Sequence, residues 1–199
     1  MAADYALLMG NLQRFYDFAD KVVLYVGAGG GQQLLDPAVH PKRVIAIDRD
    51  ADALTTLENR IVAEGLQDSF ELVAAPFENV HASGDVVYFE FCLHEMTDPA
   101  SALAHAKTLA PDVVVYDHAL DSEWIFYGAE DDLLRRSSED LNHCAVRRRT
   151  TFRTEQRFQD YAALLAKLAP QGPVAAQRAQ RFAGATNIII PMDCTLALL

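Results

Sequence analysis

A run of glycines between apolar segments is the clearest sign of chemistry in this sequence. Residues 27–31 read Gly-Ala-Gly-Gly-Gly, directly after the apolar segment 22–26 and before a helical pattern. Glycine lets the backbone turn sharply and lets a ligand approach the peptide plane, where a Cβ atom would clash. Asp48 ends the next apolar segment, 21 residues after Gly27, and its carboxylate could accept both hydroxyls of a ribose. Together these features predict a site for a nucleoside-containing cofactor.

A second set of polar residues follows two later apolar segments. Glu90, His94 and Glu95 lie at or just after the end of one segment, and Asp117 and His118 follow the next. Ligands of open α/β sheets bind at the carboxyl ends of strands, and a histidine can accept a proton near neutral pH. His94, His118 and Asp117 are therefore our candidate catalytic residues, although both histidines could instead pack or cap. The cluster could also bind a divalent metal, but its spacing is not specific to one, so we predict no metal site.

Alternating strand and helix patterns would position these residues. Short apolar, β-branched segments predict five strands, at 22–26, 44–47, 70–74, 86–91 and 113–116. Helical patterns lie between them at 32–35, 51–64 and 98–109. Continuous apolar segments are typical of strands covered on both faces, as in a parallel sheet. The pattern predicts a doubly wound α/β fold with helices on both faces.

The pattern changes after residue 116. It predicts one or two helices in 121–142, a strand or extended loop at 145–154, a helix at 156–168, and strands at 174–182 and 185–191. Gly184 between the last two predicts a turn, so we expect them to pair antiparallel. We also expect an amphipathic helix within residues 1–20, which could serve as a lid.

Three segments resemble motifs of the class I S-adenosylmethionine-dependent methyltransferases. VVLYVGAGGG is similar to the first motif of that family, VIAIDRD to the second and DVVYFEFCLHEMTDP to the fourth. The glycines read G-x-G-x-G, and Gln32 stands where a dinucleotide-binding fingerprint has its third glycine. The resemblance covers about residues 20–120. It implies S-adenosylmethionine as cofactor and a mostly parallel seven-stranded sheet with an antiparallel last strand.

The resemblance also implies roles for individual residues. The cofactor-binding set would be Gly27, Ala28, Gly29, Gly31, Asp48, Arg49, Phe77 and Glu90. The glycine segment would pass under the methionine and ribose, Asp48 would hold the ribose hydroxyls, and Arg49 would lie beside the adenine. Glu90 would reach the amino group of the cofactor.

Two positions depart from the family pattern. Tyr25 replaces an acidic residue before the first glycine, and the third strand ends in Ala74-Ala75 where an acidic residue is common. Phe77 could pack on the purine instead. These departures motivate a non-catalytic ligand-binding or partner protein as one alternative. An NAD(P)-linked oxidoreductase is another, because the same glycines and Asp48 could serve it.

Composition limits the partners. The chain has 199 residues, a net charge of −11 and three cysteines without CxxC spacing. An acidic surface repels nucleic acid and anionic membranes, and no apolar run is long enough to span a bilayer. We expect a small-molecule O, N or C acceptor, a cytoplasmic location and a monomer or homodimer.

We expect one domain over 1–199, with a lid at 1–20, a cofactor-binding core at 21–120, a substrate-side insertion at 121–155, and a helix with the terminal strands at 156–199.

Overall fold

Seven strands form one sheet in a computed structural model that describes residues 4–29 and 39–199. They are β1 Val22–Val26, β2 Arg43–Asp48, β3 Phe70–Ala74, β4 Val86–Glu90, β5 Asp112–His118, β6 Arg148–Asp160 and β7 Thr186–Leu198. Their order in the sheet is β3-β2-β1-β4-β5-β7-β6. The first five are parallel, and β7 runs antiparallel to both β5 and β6. The predicted fold class is confirmed.

Helices cover both faces of the sheet. They are α1 Tyr5–Phe15, α2 Ala51–Glu64, α3 Pro99–Leu109, α4 Glu123–Gly128, α5 Asp131–Asn142, α6 Tyr161–Leu168 and α7 Pro173–Ala179. Short 3-10 turns occur at Gln67–Ser69, Phe77–Asn79, Ala169–Gln171 and Gln180–Phe182. One buried cluster joins α1, α2, α4, α6 and α7 to the sheet, and a second lies between the other face, α3 and α5. Because successive strand residues point to opposite faces, the apolar strands supply both clusters.

Local capping explains the bounds of α2. The carboxylate of Asp50 accepts hydrogen bonds from the backbone N–H groups of Asp52 and Ala53. The helix ends at Gly65, whose φ of 70° is left-handed and therefore suits glycine. Both ends agree with the predicted range 51–64. The predicted helix at 32–35 lies outside the described residues.

The carboxyl-terminal predictions need correction. Residues 156–160 continue β6, so the predicted helix at 156–168 is confined to α6. Their buried positions alternate, with Gln156 and Phe158 facing inward, which is the period of a strand. The predicted strand at 174–182 is wrong: α7 begins with Pro173 at a first-turn position and is rich in alanine, the best helix former.

The antiparallel pair therefore has different members from those expected. It is formed by β6 and β7, paired from Arg148–Leu198 to Asp160–Thr186, and α6 and α7 lie between them in the chain. Gly184 does not join two strands of a hairpin, because helical turns precede it. The strand predicted at 185–191 is present and extends to Leu198.

The predicted amino-terminal helix is present as α1 and belongs to the core. Leu8, Met9, Leu12 and Phe15 are buried against the sheet. The hydroxyl of Tyr116 on β5 donates to the carbonyl of Leu8 at 3.3 Å. These contacts make α1 part of the packed structure. Within the described part of the chain, no helix has the length and apolar character needed to cross a membrane.

We expect Leu12→Ala to lower the free energy of unfolding by about 2–5 kcal/mol, because the side chain is fully buried and its loss leaves a cavity. Leu7→Ala is the matched control on the same helix. Leu7 is 36% exposed, so its loss should cost less than about 1 kcal/mol. Urea unfolding of both variants measures the difference. Equal small losses would mean that α1 is a detachable lid.

Candidate functional site

The glycine turn follows β1 directly. Gly27 and Gly29 have φ values of 68° and 46°, in the left-handed region that favours glycine. A Cβ on Gly27 would lie 2.6 Å from Sγ of Cys92, so the turn also requires the absence of a side chain there. The backbone N–H groups of Gly27 and Ala28 donate to the carbonyl of Ile47 on β2. Gly31, the remaining glycine of the predicted set, lies outside the described residues.

Asp48 connects this turn to the start of α2. Its Oδ2 accepts a hydrogen bond from the backbone N–H of Gly29 at 2.8 Å, and its Oδ1 accepts one from Asp50 at 2.9 Å. A carboxylate has about four acceptor sites, so these two bonds leave capacity for a ligand. Asp48 is partly buried, and the neighbouring Arg49 is exposed. The predicted pair thus lies beside the glycine turn.

Tyr25 and Glu90 form a side-chain pair across adjacent strands. The Tyr25 hydroxyl on β1 donates to the carboxylate of Glu90, the last residue of β4. Burial raises the pKa of Glu90 from 4.5 to about 7, while the hydrogen bond from Tyr25 acts in the opposite direction. Tyr25 stands where the methyltransferases that this sequence resembles have an acidic residue. The carboxylate of Glu90 on β4 nevertheless contacts the Tyr25 hydroxyl.

The chain turns sharply after β4. Phe91 has a φ of 48°, which is uncommon for a residue with a side chain. Its ring packs against Tyr116 and His118, with centroid distances of 4.6 and 4.9 Å. The next residue, Cys92, donates its thiol to the carbonyl of Val26 at 3.2 Å, and burial raises the pKa of this thiol well above its usual value. The turn therefore places an inert thiol directly under the glycine turn.

His94 and Asp117 form a buried ion pair at the ends of β4 and β5. His94 Nδ1 donates to Oδ1 of Asp117 at 2.6 Å, and the two side chains are 2% and 7% exposed. Although burial lowers the pKa of His94, the Asp117 carboxylate raises it to about 9. Burial raises the pKa of Asp117, but His94 holds it below its usual value. Each group thus favours the charged form of the other. The structure brings these two predicted residues together.

Glu130 completes a cluster that the sequence did not predict. Its Oε2 lies 3.8 Å from His94 Nε2. One potential ligand atom from each of His94, Glu95 and Glu130 lies within 4.8 Å of the others. Burial raises the pKa of Glu130, while the positive charge of His94 lowers it. Glu130 directly precedes α5, and its distance from His94 in the chain left no local signal for this contact.

His118 lies beside this cluster in a different environment. Its ring centroid is 5.7 Å from that of His94, and among the described residues its buried Nδ1 has no hydrogen-bond partner. Burial lowers the pKa of His118 to about 4, so the ring is neutral. Together with Asp117, Ser137 and Arg149 it lines a cavity of about 50 Å³, enough for a few water molecules. Because the His118 ring borders this cavity and its Nδ1 has no partner among the described residues, it could accept a proton from a bound molecule.

Phe77 lies just after β3, in the short 3-10 turn Phe77–Asn79. It is only 5% exposed and packs edge-on against Phe89 and His105, with centroid distances of 5.4 and 5.1 Å. Its ring belongs to the core on the α3 face of the sheet. Packing of Phe77 against a purine stays a prediction.

Residues 24–115 match the model of a family described as a methyltransferase domain. The matched segment runs from β1 to β5 and agrees with the resemblance to methyltransferases found in the sequence. Several solved structures share the fold of this chain. The YcgJ protein of Bacillus subtilis is 12% identical, with a TM-score of 0.73 over 97% of this chain and 97% of that chain. An S-adenosylmethionine-dependent methyltransferase from Aquifex aeolicus is 16% identical, with a TM-score of 0.54 over 99% and 90%.

Another similar structure carries a specific name. The precorrin-6y C5,15-methyltransferase of Geobacter metallireducens is 12% identical, with a TM-score of 0.60 over 97% of this chain and 86% of that chain. At these identities the solved structures show the shared fold alone. No curated protein sequence matches the chain.

S-adenosylmethionine is named for the similar Aquifex aeolicus structure, and the residues present in this chain would fit that cofactor. A positive-φ glycine turn gives close backbone approach, and carboxylates stand at the ends of β2 and β4 on either side of it. Such a set suits a ligand with ribose hydroxyls and an ammonium group. The missing acidic residue on β1 is offset by the Tyr25–Glu90 pair.

We expect Glu90→Gln to flatten the pH dependence of stability. Because the pKa of Glu90 rises from 4.5 to about 7 on folding, the folded chain holds this proton more tightly, and stability falls as pH rises through that window. Between pH 5 and 8 the wild type should lose about 2–3 kcal/mol more than the variant. Urea unfolding at both pH values measures this, with exposed Glu58→Gln as the control. An identical pH dependence in Glu90→Gln and wild type would contradict the expectation.

Proposed function

We propose that this chain transfers a methyl group from S-adenosylmethionine to an O, N or C atom of a small-molecule acceptor. The observation that carries the proposal is the order of three strand ends, with Asp48, the glycine turn and Glu90 on β2, β1 and β4. Neighbouring strands lie about 4.8 Å apart, so the two carboxylates flank the turn at roughly 10 Å from each other. This spacing can serve the two polar ends of one extended cofactor.

Each of these residues has a distinct proposed role. Asp48 accepts the ribose hydroxyls while holding the turn through Gly29. Gly27 and Ala28 let the backbone pass under the cofactor, as does Gly31, which lies outside the described residues. Arg49 lies beside the adenine. S-adenosylmethionine supplies the activated methyl group.

Glu90 and Tyr25 form the other end of the proposed cofactor site. Glu90 pairs with the ammonium group of the cofactor, and the Tyr25 hydroxyl orients the Glu90 carboxylate. A buried carboxylate gains most from a direct ionic partner, because the ammonium offsets the cost of removing it from water. A cofactor ammonium beside Glu90 would lower the raised pKa of this carboxyl.

The acceptor side is proposed to use His118 as the group that touches the acceptor. Methyl transfer needs alignment of the acceptor atom and, for O–H or N–H acceptors, removal of a proton. The unpartnered Nδ1 of His118 and the adjoining cavity support this role. Asp117 accepts the backbone N–H of His118 and the ring N–H of His94, so it positions both histidines. The 121–155 insertion is proposed to contribute to the acceptor site, because Ser137 and Arg149 line the same cavity as His118.

Surface charge supports a small acceptor over nucleic acid. The net charge is −11, and basic side chains on and near β6 are engaged within the chain: Arg147 pairs with Asp112, and Arg153 with Asp193. The cysteines Cys92, Cys144 and Cys194 are free thiols, as suits the cytoplasm. We further propose a single domain that acts as a monomer or homodimer.

Ligand binding tests the proposal directly. S-adenosylhomocysteine at 100 times its dissociation constant should add about 2.7 kcal/mol to stability, which thermal unfolding would detect. NAD(H) is the comparison ligand. Stabilisation by NAD(H) alone would indicate an oxidoreductase and overturn the proposal. Stabilisation by neither would favour a non-catalytic partner protein.

Asp48→Ala should weaken S-adenosylhomocysteine binding by about 1.5–3 kcal/mol, the scale of hydrogen bonds to a charged group. Isothermal calorimetry measures the affinity. Asp68→Ala is the control, because Asp68 is exposed and lies before β3, away from the turn. Unchanged affinity in Asp48→Ala would mean that Asp48 does not hold the ribose.

A further inference from the structure

We propose that His94, Glu95 and Glu130 form a binding site for a divalent transition-metal ion such as Zn²⁺ or Mn²⁺. The three residues come from the loop after β4 and from the segment between α4 and α5. One nitrogen or oxygen atom of each lies within 4.8 Å of the others. The site is separate from the cofactor carboxylates, and the proposal does not depend on methyl transfer.

The first argument is the orientation of His94. Its side chain is 2% exposed, and Asp117 accepts the Nδ1 hydrogen at 2.6 Å. The other nitrogen, Nε2, is directed at Glu130, but their separation of 3.8 Å is too long for a hydrogen bond. Histidines that bind metals commonly donate their second ring N–H to a carboxylate in this way. His94 is thus a nearly buried ring with one nitrogen engaged by Asp117 and the other directed at the Glu130 carboxylate.

The second argument is the distance between the ligand atoms. Zinc binds nitrogen and carboxylate oxygen at about 2.0–2.2 Å, so neighbouring ligand atoms around one ion lie about 3–4 Å apart. The 3.8 Å between His94 Nε2 and Glu130 Oε2 fits this range. The distance between these two atoms is too long for a hydrogen bond. It would allow one metal ion to contact both atoms.

The third argument is the space made for Glu130. Its side chain is 16% exposed, and its Oε2 lies over Gly128 in α4. A Cβ on Gly128 would come within 3.1 Å of that oxygen, tighter than an ordinary contact. Gly128 itself is buried. The absence of a side chain at this position lets the carboxylate fold back toward His94.

The fourth argument is charge. Asp117 and Glu130 place two largely buried carboxylates beside the single imidazole of His94, and the exposed Glu95 adds a third. Removing carboxylates from water is costly unless positive charge compensates them. A divalent ion on Nε2 in place of a proton would add the missing positive charge. One imidazole with two carboxylates is a ligand set that Zn²⁺ and Mn²⁺ accept.

Metal titration of the full chain tests this proposal. After treatment with a chelator and its removal, Zn²⁺ binding is measured by calorimetry and Mn²⁺ binding by electron paramagnetic resonance. Mn²⁺ guards against adventitious binding by thiols, which prefer softer ions. We expect one ion per chain, bound at least tenfold more weakly by Glu130→Gln. Glu139→Gln, an exposed change on α5, should leave the affinity within twofold.

His94→Gln and Gly128→Ala give independent checks. His94→Gln should abolish metal binding, and Gly128→Ala should weaken it by displacing the Glu130 carboxylate. Circular dichroism and S-adenosylhomocysteine affinity establish that each variant is folded. No binding of either ion, or equal affinities in Glu130→Gln and Glu139→Gln, would overturn the metal site. Because the cofactor analogue is measured without metal, that result would leave the proposed methyl transfer standing.

Discussion

The arrangement of the site depends on one buried carboxylate, Asp117. It accepts hydrogen bonds from the backbone N–H of His94, from the ring of His94 and from the backbone N–H of His118. Leaving a buried donor without its acceptor costs about 1–3 kcal/mol. Asp117 therefore holds the loop after β4 against the end of β5. It also decides which nitrogen of His94 is available to other groups.

Five consecutive residues, 90–94, connect the Asp117 hydrogen bonds to the glycine turn. Glu90 meets Tyr25, Phe91 turns the chain in a left-handed conformation, and Cys92 packs against Gly27 before the chain arrives at His94. A shift at either end of this segment would move the other, because interiors are closely packed. The glycine turn and the histidine cluster are thus mechanically connected.

Local chemistry made the parallel half of the sheet predictable. Its strands are short apolar segments, and α2 carries both caps in its own sequence, at Asp50 and Gly65. The carboxyl-terminal half was harder, because β6 exposes charged side chains along one face and so lacks a continuous apolar run. The segment 174–182 mixes apolar and polar residues in a way that fits either period, and only packing of Ala175 and Ala179 in the core decides for a helix.

The site residues that lie at strand ends could be predicted from the sequence. The contacts between residues far apart in the chain could not. Gly27, Asp48, Glu90 and Asp117 all lie at or beside the ends of predicted strands, where parallel topology gathers them. The Tyr25–Glu90 contact and the approach of Glu130 to His94 join residues far apart in the chain. Nothing in local periodicity encodes such contacts, so they required the folded structure.

The position of β7 has a consequence for the order in which the molecule can be completed during synthesis. It is made after β6, yet it inserts between β5 and β6 and pairs with both. Until it emerges from the ribosome, β5 presents an open edge, and unpaired strand edges invite association with other chains. His118 gains its neighbour Cys194 only when β7 pairs with β5. The nascent chain therefore stays vulnerable at this edge until β7 has been made.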